Sequence, residues 1–224
     1  MSIKALNIVA PPQLVRQRAF ENLRDAIISG QIKPGTRLIE RELCEAMGIS
    51  RASVREVIRQ LESERLVDVQ PRKGPIVSRL TLKQAREIYE VRCIFEMLLV
   101  DRFTRVATDP EIAALREIFD QVIEAAGEKS SPRLVTLMFS FNDHMGQVID
   151  HEVVRDILTQ LNARISALRA TSMAKPGRIE ASVGEISEIM AAIEARDPER
   201  ATRAVQTYVN NARDAALERL AAET

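Results

Sequence analysis

Two amphipathic helical runs, Glu40 to Met47 and Ser50 to about Glu64, are joined through little more than Gly48 and Ile49. So tight a joint forces the two helices to cross over a shared core, the arrangement of a helix-turn-helix. Leu43 and Met47 supply the apolar face of the first run, and Val54, Ile58 and Leu61, with Val57 beside them, that of the second. Gly48 provides a left-handed stop and Ser50 an N-cap hydroxyl. Upstream, Leu14, Val15, Ala19, Phe20, Leu23, Ala26 and Ile27 recur at helical spacing, ended by Gly30 and turned by Pro34-Gly35. Downstream, Leu66 to Val69 and Ile76-Val77 read as short strands around the turn Pro71-Arg72-Lys73-Gly74. Three helices followed by a β-hairpin make a winged helix over residues 1–80.

The second helix of the pair is basic on its outer side. Arg51, Arg55 and Arg59 are spaced i, i+4, i+8 and share the face opposite the apolar residues. The N-terminal part of such a helix meets base edges in the major groove, where arginine reads guanine or grips phosphate. Ser53 adds a hydroxyl, and Arg41 is placed for backbone phosphate. Arg72 and Lys73 at the wing tip suit phosphate or the minor groove. A solvated arginine face, or a winged helix that binds protein, is the competing reading.

Charge divides the chain in the same place. Residues 1–80 carry 14 Lys and Arg against 9 Asp and Glu, while the rest carries 18 against 23. A basic module beside an acidic one favours a polyanion for the first and some other task for the second. With 46% apolar and 29% charged residues the composition is that of a folded globular chain. No apolar run reaches the length of ~20 residues that spans a bilayer, and residues 1–10 carry no secretory signature, so a cytoplasmic protein without membrane contact is expected. Cys44 and Cys93 are too few for a disulfide framework and are expected to pack as small apolar residues.

These residues carry a resemblance. Residues 27–38, Ile-Ile-Ser-Gly-Gln-Ile-Lys-Pro-Gly-Thr-Arg-Leu, resemble the opening of GntR-family repressors. Ile49 to Val57 resemble their recognition helix, and Leu61 to Val67 with Pro71 to Gly74 their closing helix and wing. The resemblance implies that Arg41, Arg51, Ser53, Arg55 and Gly74 contact operator DNA. Two departures stand out: Ala52 where the family often has Thr, and Arg65 where it usually has Gly.

The remainder, residues 81–224, reads as helix throughout. Thr81-Leu82-Lys83-Gln84 is a capping-box pattern, and Asp109-Pro110, Ser131-Pro132 and Asp197-Pro198 each place proline at a helix start. A further helix from Glu152 to Ser172 is expected to bury Val153, Ile157, Leu161, Ile165 and Leu168. Lys175-Pro176-Gly177 breaks the chain before a helix holding Ile179, Val183, Ile186, Ile189 and Ile193. The predicted fold class is therefore mainly α, a winged helix followed by a six- or seven-helix bundle. Ile88 to Glu96, Phe141 to His144 and Ile189 to Asp197 resemble the all-helical FCD domain of the FadR subfamily. That resemblance implies a homodimeric regulator sensing a small metabolite, often a carboxylate.

Many members of that subfamily hold a divalent metal with an Asp, a His four residues on and two later His. Ser140, His144, Ile186 and Tyr208 stand at those places here, and His151 lies about two turns beyond His144. One imidazole with Ser, Ile and Tyr lacks the charge and ligand number of such a site, so no metal or other cofactor is expected. Arg92, set among Tyr89 and Phe95, is the expected anchor for an anionic effector, a salt bridge to Glu96 being the alternative. Arg164 is a second candidate, and Ser140, His144 and Tyr208 are candidates to bond the effector directly. No nucleophile–base pair or phosphate loop is visible, so an enzyme is not expected. The reading is a ligand-responsive, sequence-specific DNA-binding transcriptional regulator. It is expected to be a repressor that acts as a homodimer on a palindromic operator and senses an organic acid. A helical metabolite-binding or protein-interaction module whose winged helix does not read DNA is the alternative.

Overall fold

In the computed structural model, residues 12–128, 130–173 and 175–222 are described. They form two compact units, divided between Arg79 and Leu80. The first contains α1 (Pro12–Ile28), α2 (Glu40–Met47), α3 (Arg51–Ser63), β1 (Val67–Gln70) and β2 (Gly74–Val77). Gly48 lies at φ 64 and its N–H returns to the Cys44 carbonyl, which closes α2 and turns the chain. Ser50 then accepts the Ser53 N–H at 3.2 Å and opens α3. Val54, Val57, Ile58 and Leu61 are buried under α1, which contributes Ala19, Leu23 and Ile27. Leu14, expected among them, is 49% exposed. No residue of α2 is fully buried, and Cys44 is half-buried rather than a core residue. The strands pair antiparallel, Val67 opposite Val77 and Gln70 opposite Gly74, and Arg37 adds a single bridge to Ile76.

The second unit contains α4 (Leu82–Val106), α5 (Asp109–Gly127), α6 (Ser131–Val148), α7 (Glu152–Met173), α8 (Arg178–Glu194) and α9 (Pro198–Ala222). The Thr81 capping box forms as expected: Gln84 N–H donates to Thr81 Oγ1, and Thr81 N–H donates to Gln84 Oε1. One core joins Leu99, Phe103, Phe119, Phe141, Ile165, Ile186 and Ile193. Each such side chain withdrawn from water contributes ~1.5–3 kcal/mol.

The expected apolar stripe of α7 holds in its C-terminal half, where Ile165 is buried and Leu161 and Leu168 pack half-buried against the core, and fails in its first turns. There Val153 is 64% exposed, while Val154 and Leu158 are buried. The same buried face carries Asn162, Ser166 and Arg169, the last 4% exposed. Hydrophobic periodicity misplaces this face because polar residues share it. Among the described residues, no helix is long and apolar enough to cross a membrane.

Candidate nucleic-acid interface and buried polar cluster

Helix α3 turns its basic face to solvent. Arg51, Arg55 and Arg59 are exposed, opposite the buried valines and leucine. Arg55 Nε donates to both carboxylate oxygens of Glu40 at 3.1 Å. That hydrogen bond and the nearby negative charge push the Arg55 guanidinium above its ordinary pKa. Arg59 pairs with Glu56 at 2.9 Å and Arg41 with Glu45 at 3.4 Å. Ser53 shares its hydroxyl with Ser50 at 3.0 Å, beside the first turn of α3. These pairs are exposed and contribute little to stability; they hold long side chains near the surface they present. The wing tip carries Arg72 and Lys73, both exposed, with Arg72 at φ 67 and Gly74 at φ 80. Arg65 also keeps a left-handed backbone, φ 60, so the substitution leaves the exit from α3 in the geometry that glycine favours.

The candidate effector residues fall into two places. Tyr89, Arg92 and Glu96 share the inner face of α4, exposed by 1%, 0% and 2%. Arg92 Nη2 donates to Glu96 Oε1 at 2.6 Å, and the guanidinium carbon lies 5.0 Å from the centre of the Tyr89 ring. Arg92 therefore makes the Glu96 salt bridge, the alternative to an effector anchor, while its Nε and Nη1 find no hydrogen-bond partner among the described residues. Burial opposes the Arg92 charge, but Glu96 and the phenol oxygens of Tyr89 and Tyr208 outweigh it and hold the guanidinium above its ordinary pKa. Burial pushes the Tyr89 phenol up, so it stays a neutral donor.

Tyr208, 2% exposed on α9, belongs to this cluster. Arg169 Nη2 donates to the Tyr208 hydroxyl at 3.1 Å. Arg169 Nη1 reaches Asn162 Oδ1 at 3.4 Å, and its guanidinium lies 5.4 Å from the Phe139 ring centre. Its charge acts on Tyr89. Arg169 was not legible as a site residue, because it follows a run of ordinary helix formers and no motif marks it.

Ser140 and His144 lie elsewhere. Ser140 is on the exposed side of α6 and donates to the Thr136 carbonyl at 3.4 Å. His144 Nε2 is 3.1 Å from the backbone oxygen of Glu111, and its ring meets Phe103 edge-on at 6.1 Å. Among the described residues, the side chains that α6 buries are instead Leu134, Val135, Met138, Phe141, Asn142 and Met145. Arg164 is half-buried on α7. The four positions at which the FCD resemblance would put metal ligands do not fit a divalent cation. Ile186 offers hydrocarbon, Ser140 faces outward, His144 is engaged with α5, and Tyr208 is held by a guanidinium.

Residues 15–77 match the family described as bacterial regulatory proteins, gntR family, and residues 87–211 match the FCD domain. The chain belongs to the GntR family of regulators that carry an FCD domain. Among its relatives is the HTH-type transcriptional repressor RspR of Escherichia coli, 25% identical over 89% of this chain and 87% of that protein. The uncharacterised regulator YdhC of Bacillus subtilis is 25% identical over 86% of each chain. A solved structure of a GntR regulator from Rhodococcus superposes with a TM-score of 0.79 at 24% identity, covering 91% of this chain and 97% of that one. This GntR regulator is thus a DNA-binding transcriptional regulator with a ligand-binding type of helical domain.

Proposed function

We propose that this GntR regulator is a homodimeric repressor that reads a palindromic operator and responds to a small organic acid held in its helical bundle. The observation that carries the DNA-reading half is the exposed arginine face of α3, opened by the Ser50 cap and accompanied by a basic wing. Arg51 and Arg55 read bases, Ser53 and Arg41 fix the helix on the backbone, and Arg72, Lys73 and Gly74 set the wing against the duplex. A two-fold dimer presents two such helices, which is why a palindrome is the matching site. Arg92, Tyr89 and Tyr208 hold the effector. An effector that prefers one arrangement of the bundle changes DNA affinity, and DNA reciprocally changes effector affinity.

Selection from random-sequence DNA with the full chain tests this reading. An enriched short palindrome, bound by two chains per duplex, is expected. On that site Arg51→Ala or Arg55→Ala should each cost ~1–3 kcal/mol and relax discrimination. Lys73→Ala should weaken binding across sequences and lower the salt slope by about one. No enrichment, with unchanged affinity in the arginine variants, would defeat the assignment.

A further inference from the structure

The charge count in the bundle's buried cluster narrows the ligand, granted the effector reading above. Arg92 and Glu96 neutralise one another at 2.6 Å. Arg169 does not share in that balance: its contacts are Asn162, Tyr208 and the face of Phe139, all neutral. Among the described residues no carboxylate lies within ion-pair distance of it. A guanidinium that is 4% exposed and lacks a counter-charge is costly to keep in a protein interior. The same cluster has donors to spare, because Tyr89 Oη and Arg92 Nε and Nη1 have no hydrogen-bond partner among the described residues. One positive charge and several donors are therefore in excess on α4, α7 and α9. We infer that Arg169, held by Tyr208 at a position where the FCD resemblance expects a metal ligand, takes the role of the cation, and that the site binds a singly charged carboxylate without metal. A neutral ligand leaves Arg169 uncompensated, and a doubly charged one brings a surplus negative charge among buried side chains. Chloride matches the charge but offers one acceptor atom to donors that come from three helices.

The test is thermal unfolding of the full chain with acetate or formate. Succinate, chloride and uncharged acetamide at matched ionic strength serve as controls, with wild type, Arg169→Met and Arg169→Lys compared. In wild type acetate or formate should give a saturable rise in Tm, roughly 3–6 °C at about tenfold excess over the dissociation constant. Succinate, chloride and acetamide should do less. Arg169→Met should lose the response and, without added anion, melt no lower than wild type, because the uncompensated charge is gone. Arg169→Lys should keep part of the response. The inference is overturned if acetate acts no better than acetamide or chloride, if succinate acts better than acetate, or if Arg169→Met responds like wild type. Wild type alone decides the ligand's charge class should Arg169→Met fail to fold. Operator selection is an independent readout: a wild type that responds to acetate but enriches no DNA sinks the repressor reading and leaves the carboxylate site standing.

Discussion

Arg65 shows how one residue can depart from a family pattern while the backbone does not. It sits at φ 60, directly after the Glu64 cap of α3, and its N–H still closes onto the Glu62 carbonyl. An L-residue there is strained, whereas glycine is not, and glycine's greater freedom in the unfolded chain offsets part of the gain. Arg65→Gly should therefore stabilise the protein by roughly 0.5–1 kcal/mol, read from urea unfolding. Arg92 makes the opposite case. Its removal strands Glu96 as a buried carboxylate, so Arg92→Ala should cost ~3–5 kcal/mol. Replacing both, as Arg92→Met with Glu96→Leu, should recover most of that loss, because the desolvation of the pair disappears with it. A double mutant no more stable than Arg92→Ala would show that the pair does more than neutralise itself. The pairing with Glu96 was legible as one of two alternatives, since i, i+4 spacing allows it without requiring it.

At the level of the element, helix starts were the most legible feature. Thr81 begins α4 with the reciprocal bonds its Gln84 spacing predicts, whereas the N-cap of α5 is Thr108, one residue before the expected Asp109. Thr108 N–H and hydroxyl both donate to Glu111 Oε2, and those bonds lower the Glu111 pKa, aided weakly by His144. A lowered carboxylate pKa stabilises the fold at pH above the unfolded value, and that stabilisation is lost as pH falls through the folded value. The Tm of wild type should thus fall on acidification more steeply than that of Glu111→Ala, the two curves meeting where the carboxylate is protonated in both states. Parallel curves would exclude the cap as the cause. Helix faces were less legible than helix ends. On α7 the buried stripe holds Asn162, Ser166 and Arg169, and these polar residues hid its direction from a pattern of apolar spacing.

For the whole molecule, two compact units imply two cores that can melt separately. Calorimetry of the full chain should resolve two transitions, and acetate should move only the one assigned to the bundle. The bundle transition can be identified with the Arg92→Ala variant, which lowers it alone. Sedimentation should find twice the mass of one chain, and operator binding should titrate at two chains per duplex. A monomer that binds single half-sites would contradict the dimeric reading.

Short-range chemistry determined the winged helix and the order of the helices: glycine stops, hydroxyl caps and prolines act within a few residues of themselves and leave a local trace. The basic face of α3 is likewise a matter of spacing along one helix. Only the tertiary structure decided which polar side chains meet. Tyr89, Arg92 and Glu96 share a face of α4 by spacing, but Arg169 and Tyr208 come from two helices far away in sequence and no periodicity links them to it. It also moved Ser140 outward and turned His144 toward α5, because rotation of α6 about its own axis is set by the side chains it packs against.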